Sequence, residues 1–177
     1  MENFTAYNPT KLHFGKGVTD KLGETVLEYG KRVLLIYGKG SIQRNGVYDL
    51  VIKQLESVGA EIFEYSGIKS NPLVDDVSEA AQIGKLNHVD LIVAVGGGSV
   101  IDSAKITALS IANSTDPWAI MKYKVKPQKT IPLIAVLTLA ATGTEMNGAA
   151  VLQNHETNEK IGYVSPLNYP MHSFLDP

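Results

Sequence analysis

Three consecutive glycines, Gly96, Gly97 and Gly98, stand between an apolar run and Ser99 in the stretch VAVGGGSVIDSAK (Val93–Lys105). Glycine has no Cβ, so it admits positive φ and lets an anionic ligand approach bare backbone N–H groups. A helix opening immediately afterwards adds its unpaired first N–H groups and the positive end of its dipole. The chemistry this order suits is the seating of a phosphate on Gly97, Gly98 and Ser99, with Ser99 placed both to cap the helix and to donate to an oxygen. The pattern is neither the GxGxxG fingerprint nor a Walker A loop: no GxxxxGK[ST] occurs, and Lys105 is too far along the helix. The plain alternative, a tight strand–helix turn without a ligand, stays open at this point.

The neighbouring residues extend the same chemistry. Asp102 is read in the first turn of the helix, as a favourable terminal charge or as a polar contact beside the phosphate. Lys105, three residues on, either pairs with Asp102 or balances charge in the cleft. YGKGS (Tyr37–Ser41) ends the first strong strand on the same edge. In many dinucleotide sites an acid here accepts from the adenosine ribose hydroxyls. Gly38 removes that acid, while Lys39 and Ser41 bring a cation and a hydroxyl. The exchange favours a 2′-phosphate, hence NADP(H) as the preferred cofactor and NAD(H) as the second; a glycine turn with a solvated lysine is the plain alternative. LTLAATGTEMN (Leu137–Asn147) sets Thr138, Thr142, Gly143, Thr144 and Glu145 at a strand end. They form either a capping turn, with Thr144 as the cap, or a wall around phosphate, ribose or nicotinamide. Lys160 follows the polar turn HETNEK, as a solvated hairpin charge or as a cation reaching back to a cofactor phosphate. His13, His88, His155 and His172 have no compact metal-ligand spacing and HExxH is absent, so all are expected to be structural or at the surface.

These residues need a frame, and the chain is long enough to supply one. Its 177 residues suffice for one α/β domain with a real core. Hydrophobic residues make up 44% and charged residues 19%, with a net charge of -2 and scattered lysines and arginines. Nothing in that balance suggests a nucleic-acid footprint. Cysteine is absent, which excludes disulfides, zinc knuckles and thiol catalysis. The start, MENFTAYNPTKLHFGKG, lacks the basic and apolar regions of a signal peptide, and no apolar run approaches the ~20 residues of a membrane span. A cytoplasmic protein is the expectation.

Helical and strand patterns alternate along the chain. An edge strand is expected at Lys11–Phe14, a helix at Val18–Tyr29 ended by Gly30, and a continuous apolar strand at Arg32–Tyr37. Gly38–Ser41 reads as a tight turn, Val47–Val58 as a helix and Ala60–Tyr65 as a strand. A loop at Ser66–Pro72 leads to a helix at Leu73–Leu86, a buried strand at Leu91–Val95 and a helix at Ser99–Ala112. Thr115–Trp118 turns, Pro117 being able to start a helix, and Ile131–Leu137 is a strand. The rhythm is that of a Rossmann-like, doubly wound, mostly parallel α/β sheet with loops gathered at the strand carboxyl ends. The tail, residues 149–177, loses it: Val151–Gln153 and Ile161–Val164 pair as a hairpin, and the final DP closes no obvious element. The whole chain, 1–177, is expected to be one dinucleotide-binding domain cut near a domain boundary.

With these segments in view, the sequence resembles the N-terminal domain of the iron-containing (group III) alcohol dehydrogenases, and within them the NADP(H)-using butanol dehydrogenase/aldehyde reductase branch. The segments that carry the likeness are FTAYNPTKLHFGKG, VLLIYGKGSIQRNGVYD, IKSNPLVDDV, VAVGGGSVIDSAK, DPWAI, VLTLAATGTEMN and the closing LDP. The resemblance implies a second, helical domain that carries one Asp and three His ligands for a divalent metal, iron or zinc, beyond Pro177. It implies that Gly97, Gly98 and Ser99 hold pyrophosphate, that Asp102 lies near the nicotinamide, and that Thr138, Thr142 and Asn147 line the cofactor cleft. Gly38 and Ser41 match the branch that admits a 2′-phosphate, with Lys39 an added contact, and Lys160 resembles the family's cleft lysine. The family's usual TxxGTGSE reads here TLAATGTEMN, which keeps the hydroxyl and glycine pattern. The implied reaction of the complete enzyme is hydride transfer between NAD(P)H and a primary alcohol or aldehyde such as butanol and butanal. This half alone is expected to be inactive. Expected partners are the dinucleotide, a small alcohol or aldehyde in the complete enzyme, and a second copy in a homodimer; neither nucleic acid nor membrane is expected. A glycerol dehydrogenase or dehydroquinate synthase relative is the enzyme alternative, and a stand-alone nucleotide-binding or interaction module the non-catalytic one.

Overall fold

A six-stranded sheet, parallel at every pairing, carries the chain. The computed structural model describes residues 3–5 and 7–177; Met1, Glu2 and Ala6, and with them part of the N-terminal FTAYNP motif, lie outside the described residues. Its strands are β1 (Lys11–Phe14), β2 (Arg32–Gly38), β3 (Glu61–Ile68), β4 (Leu91–Gly96) and β5 (Leu133–Leu137), plus the last strand of the chain, β8 (His172–Leu175). The spatial order is β1-β8-β5-β4-β2-β3. β4 and β5 are buried at every residue, as is β2 from Val33 to Tyr37, so their sequences are unbroken apolar runs rather than alternating ones.

Alternate residues of these runs feed two cores. Val33, Leu35 and Tyr37 of β2 pack with Leu22 and Val26 of α1 (Leu22–Leu27) and with Val51 and Leu55 of α3 (Val47–Ser57). Leu34 and Ile36 face the other side, toward Ala80 of α4 (Val74–Leu86) and Ile101, Ala104 and Ala108 of α5 (Gly98–Asn113). The chain leaves β2 for β3 on one side and returns to β4 on the other. The loops after β2 and β4 therefore diverge to opposite faces and leave a crevice between their carboxyl ends, the position at which open α/β sheets take ligands.

The tail holds more than the expected hairpin. That hairpin is present as β6 (Ala149–Asn154) and β7 (Glu159–Val164). Ala150, Leu152 and Tyr163 pack on Val77 of α4 and on Ile106 and Leu109 of α5. The residues after it, which showed no element in the sequence, form a strand of the main sheet. β8 inserts between β1 and β5, and Asp176 of the closing DP accepts from the Gly17 N–H at 2.9 Å and the Thr19 N–H at 3.3 Å. Polar residues hid this strand. His172 is buried against His13, its Nδ1 2.9 Å from His13 Nε2, and the Ser173 hydroxyl donates to the Glu145 carbonyl at 2.6 Å.

Three smaller differences have local causes. The expected Val18–Tyr29 helix divides into a 3₁₀ turn at Val18–Lys21 and α1, and Gly30 follows with φ of +148°. The Gly38–Ser41 turn runs into a short helix, α2 (Ser41–Arg44). β3 extends to Ile68 and shortens the following loop. Asp116 caps α6 (Pro117–Met121) by accepting from the Ala119 N–H, in keeping with the Asp–Pro pair. No helix among the described residues is long and apolar enough to cross a membrane.

The histidine seam makes a pH prediction. Burial lowers the pKa of both His13 and His172 below the usual value, with Lys11 acting in the same direction and Glu28 against it. The unfolded chain then binds protons before the folded one as the pH falls, so this contribution to stability is present above about 6.5 and lost as the pH drops through the folded values. Urea midpoints should fall between pH 7 and pH 5.5, and His172→Gln should flatten that slope. An unchanged slope in the variant would remove the seam as its source.

Candidate functional site

A cleft of about 680 Å3 opens over the carboxyl ends of β2, β3 and β4. Of the residues singled out in the sequence, Gly38, Lys39, Ser41, Gly97, Gly98, Ser99 and Thr138 line it. Asn45, Lys69 and Ser70 line it too, together with Ile68, Val100 and Leu139; the segments that carry the family likeness contain all six, but the sequence assigned none of them a role. A signal for Lys69 and Ser70 exists: IKSNP follows a strand of the sheet, and every loop at that edge faces the crevice. Among the described residues no carboxylate lines this cleft, while Lys39 and Lys69 both do. A smaller recess of about 350 Å3 shares Asn45 and Thr138 with it and reaches to Thr19 and Asp176.

The start of α5 is built for close approach. Gly97 is its N-cap residue and no side chain caps it, so the first N–H groups are left for water or a ligand. Ser99 does not cap, contrary to one reading of the sequence; its hydroxyl donates to the Ser70 carbonyl at 2.6 Å and ties the β3 loop to the cradle. A Cβ on Gly98 would stand 2.9 Å from Thr142 Oγ1. Thr142 is thus in contact with the cradle from the wall after β5. A Cβ on Gly96, whose φ is +159°, would meet Val100 Cγ2 at 2.6 Å. Only glycine lets α5 turn this sharply off β4.

The wall itself is held from beneath by α5. The Thr144 hydroxyl donates to Asp102 Oδ1 at 2.6 Å, and the Val151 N–H donates to Asp102 Oδ2 at 3.0 Å. Burial pushes the Asp102 carboxyl up, opposed by those two bonds and by the nearby Lys105 charge. Lys105 is 1% exposed. Its Nζ donates to the carbonyls of Thr144, Asn147 and Ala149 at 2.7–2.8 Å, and to Thr144 Oγ1 at 2.7 Å. Burial pulls its pKa down to about 8, against the pull of Asp102 and Glu145.

These contacts change several of the expected roles. Asp102 lies beyond the first turn of α5, and its carboxylate is engaged by the wall rather than free beside a phosphate. Lys105 serves backbone oxygens instead of pairing with Asp102. Thr144 is the buried donor to Asp102, not a helix cap, and the turn it opens is a 3₁₀ turn, Thr144–Met146. Neither Thr142 nor Asn147 is in the cleft lining: Thr142 stands against Gly98 at the edge of the cradle, and the Asn147 Oδ1 accepts from the Ala149 N–H at 2.9 Å. Lys160 also lies outside the lining, and its Nζ donates to Asn71 Oδ1 at 3.2 Å, against the loop that carries Lys69 and Ser70.

A doubly wound parallel sheet whose switch-point crevice meets a glycine cradle, an uncapped helix and lysines defines a Rossmann-like nucleotide-binding domain. The chain belongs to the iron-containing alcohol dehydrogenase family, whose model matches residues 9–177. It is 49% identical over 177 residues to the probable NADH-dependent butanol dehydrogenase 1 of Bacillus subtilis (strain 168), covering 100% of this chain and 46% of that protein. It is 37% identical over 180 residues to the NADPH-dependent aldehyde reductase YqhD of Escherichia coli (strain K12), covering 100% of this chain and 46% of that one. The crystal structure of NADH-dependent butanol dehydrogenase A from Thermotoga maritima superposes with a TM-score of 0.95 at 47% identity, over 100% of this chain and 45% of that one. The chain thus spans about half the length of these relatives.

Proposed function

We propose that this chain is the nicotinamide-dinucleotide-binding half of an alcohol dehydrogenase/aldehyde reductase that takes NADP(H) in preference to NAD(H) and acts on a primary alcohol or aldehyde such as butanol or butanal. The observation that carries the reading is the uncapped, glycine-built start of α5 opening on a cleft with Lys39 and Lys69 in its lining and no carboxylate among the described residues there. Gly97 and Gly98 would receive the pyrophosphate on backbone N–H groups, with Ser99 fixing the adjacent loop. Gly38, Lys39 and Ser41 would face the adenosine ribose, where a 2′-phosphate meets a cation and a hydroxyl instead of an acid. Relatives 40–49% identical to this chain are named for NADH, and those named for NADP or NADPH are 37–38% identical, so the likeness leans toward the NADH-named butanol dehydrogenases and the proposed NADP(H) preference rests on those residues alone. Thr138 would wall the cleft, Thr142 would stand against the Gly98 cradle, and Lys160 would act through Asn71 and its loop.

Reduced nicotinamide, when bound, would supply a hydride for a carbonyl carbon, and Gly97, Gly98, Lys39 and Ser41 would bind and orient the dinucleotide. Among the described residues no group of three or more His, Cys, Asp or Glu is placed to hold a metal ion, so no step through a metal is assigned to them.

The test is a fluorescence titration of the purified chain with NADPH and NADH. NADPH should bind more tightly, and Lys39→Ala should weaken NADPH by about threefold, the scale of an exposed charge contact, while leaving NADH nearly unchanged. A chain that melts cooperatively yet binds neither dinucleotide would overturn the proposal.

A further inference from the structure

Lys105 is among the largest fully buried side chains of the described residues, and it is charged. It is not part of the cleft lining. It stands seven positions after Gly98, about two turns along α5, so it lies beneath the cradle on the same helix. Its three N–H donors are directed at Thr144, Asn147 and Ala149, which follow closely on Thr142 in the chain. Thr142 in turn meets the cradle where a Gly98 Cβ would be. The helix that supplies the phosphate seat therefore also grips the opposing wall, through one ammonium group.

We infer that Lys105 is a positioning residue for dinucleotide binding, holding the segment 142–149 at contact distance from the Gly98 cradle so that the cleft is set before the cofactor arrives. The inference rests on the dinucleotide reading above. Preset walls spare the ligand the ordering of a loop, so losing the grip should lower affinity although no cofactor contact is lost. The charged groups that face the ammonium are Asp102 on its own helix and Glu145 in the wall. A neutral amine keeps only two donors for this set of oxygens and turns a lone pair toward one of them. Since burial brings the Lys105 pKa down to about 8, the grip weakens within an accessible pH range.

The experiment measures NADH affinity of the purified chain and of Lys105→Met at pH 7 and pH 9, with amide hydrogen exchange of residues 142–151 followed without ligand. The wild-type chain should bind up to about tenfold more weakly at pH 9 than at pH 7, the factor expected when binding requires the protonated form of a group with that pKa. Lys105→Met should bind weakly at both pH values, without the pH dependence, and should lose exchange protection in the wall. A merely structural lysine would alter stability but leave no such profile. A folded variant that binds like the wild type at pH 7 overturns the inference. Should Lys105→Met fail to fold, Lys105→Gln takes its place in the same comparison at pH 7. Should the wild type bind no dinucleotide at pH 7, the dinucleotide reading falls and the positioning role for it falls too; retained wall exchange protection in a folded variant would separately show that Lys105 does not hold the wall.

Discussion

A Lys105→Met chain should lose about 3–5 kcal/mol of unfolding free energy, the range for removing one partner of a buried charged network. Methionine matches the volume of the stem, so packing is nearly conserved and the loss comes from hydrogen bonding. The carbonyls of Thr144, Asn147 and Ala149 would face a thioether that donates nothing. Each buried acceptor left unmatched costs about 1–3 kcal/mol. Asp102 loses a neighbouring cation at the same time, while keeping its bonds from Thr144 and Val151. Urea unfolding at pH 7 measures the effect, and for a domain stable by about 5–15 kcal/mol the shift in midpoint would be large. A loss below about 1 kcal/mol would mean that water reaches those oxygens.

Gly38→Asp should weaken NADPH binding by at least about tenfold and reverse the preference toward NADH. The backbone accepts the change: Gly38 is not at positive φ, and a Cβ there would make ordinary contacts, 3.5 Å from the Ile68 carbonyl oxygen and 3.7 Å from Val100 Cγ2. What changes is charge. An aspartate placed at the end of β2 restores the acid that accepts from ribose hydroxyls and sets a carboxylate against a 2′-phosphate. Like-charge juxtaposition costs several kcal/mol when desolvated, and Lys39 offsets part of that, hence the tenfold floor. Parallel titrations of both dinucleotides against the variant give the answer. Equal losses for NADPH and NADH would place the ribose elsewhere.

What is legible in the sequence follows from what is local. β2 and β4 stand out because both faces of a parallel strand are buried, which forces runs such as RVLLIY and LIVAV. The glycine cradle and the YGKGS turn are legible for the same reason: the chain must turn sharply off a strand into a helix, and Gly96 shows why no Cβ fits there. β8 is not legible. Two of its buried positions are His172 and Ser173, whose burial depends on His13 and on the Glu145 carbonyl, partners far away in the chain. The roles of Asp102 and Lys105 escape the sequence on similar grounds. Their spacing of three on one helix invites a pairing, but the partners that claim them come from residues 144–151, which the fold brings over α5. Lys69 enters the cleft only because β3 lies beside β2.

The most direct test of the central claim, that the switch-point cleft is a dinucleotide site, is an amide chemical-shift map of the 15N-labelled chain on addition of NADPH. Shifts should cluster at Gly38–Ser41, Lys69–Ser70, Gly96–Ser99 and Thr138, with the β6–β7 hairpin tip unmoved. Shifts centred away from the carboxyl edge of β2 and β4, or none at saturating NADPH in a folded chain, would contradict it.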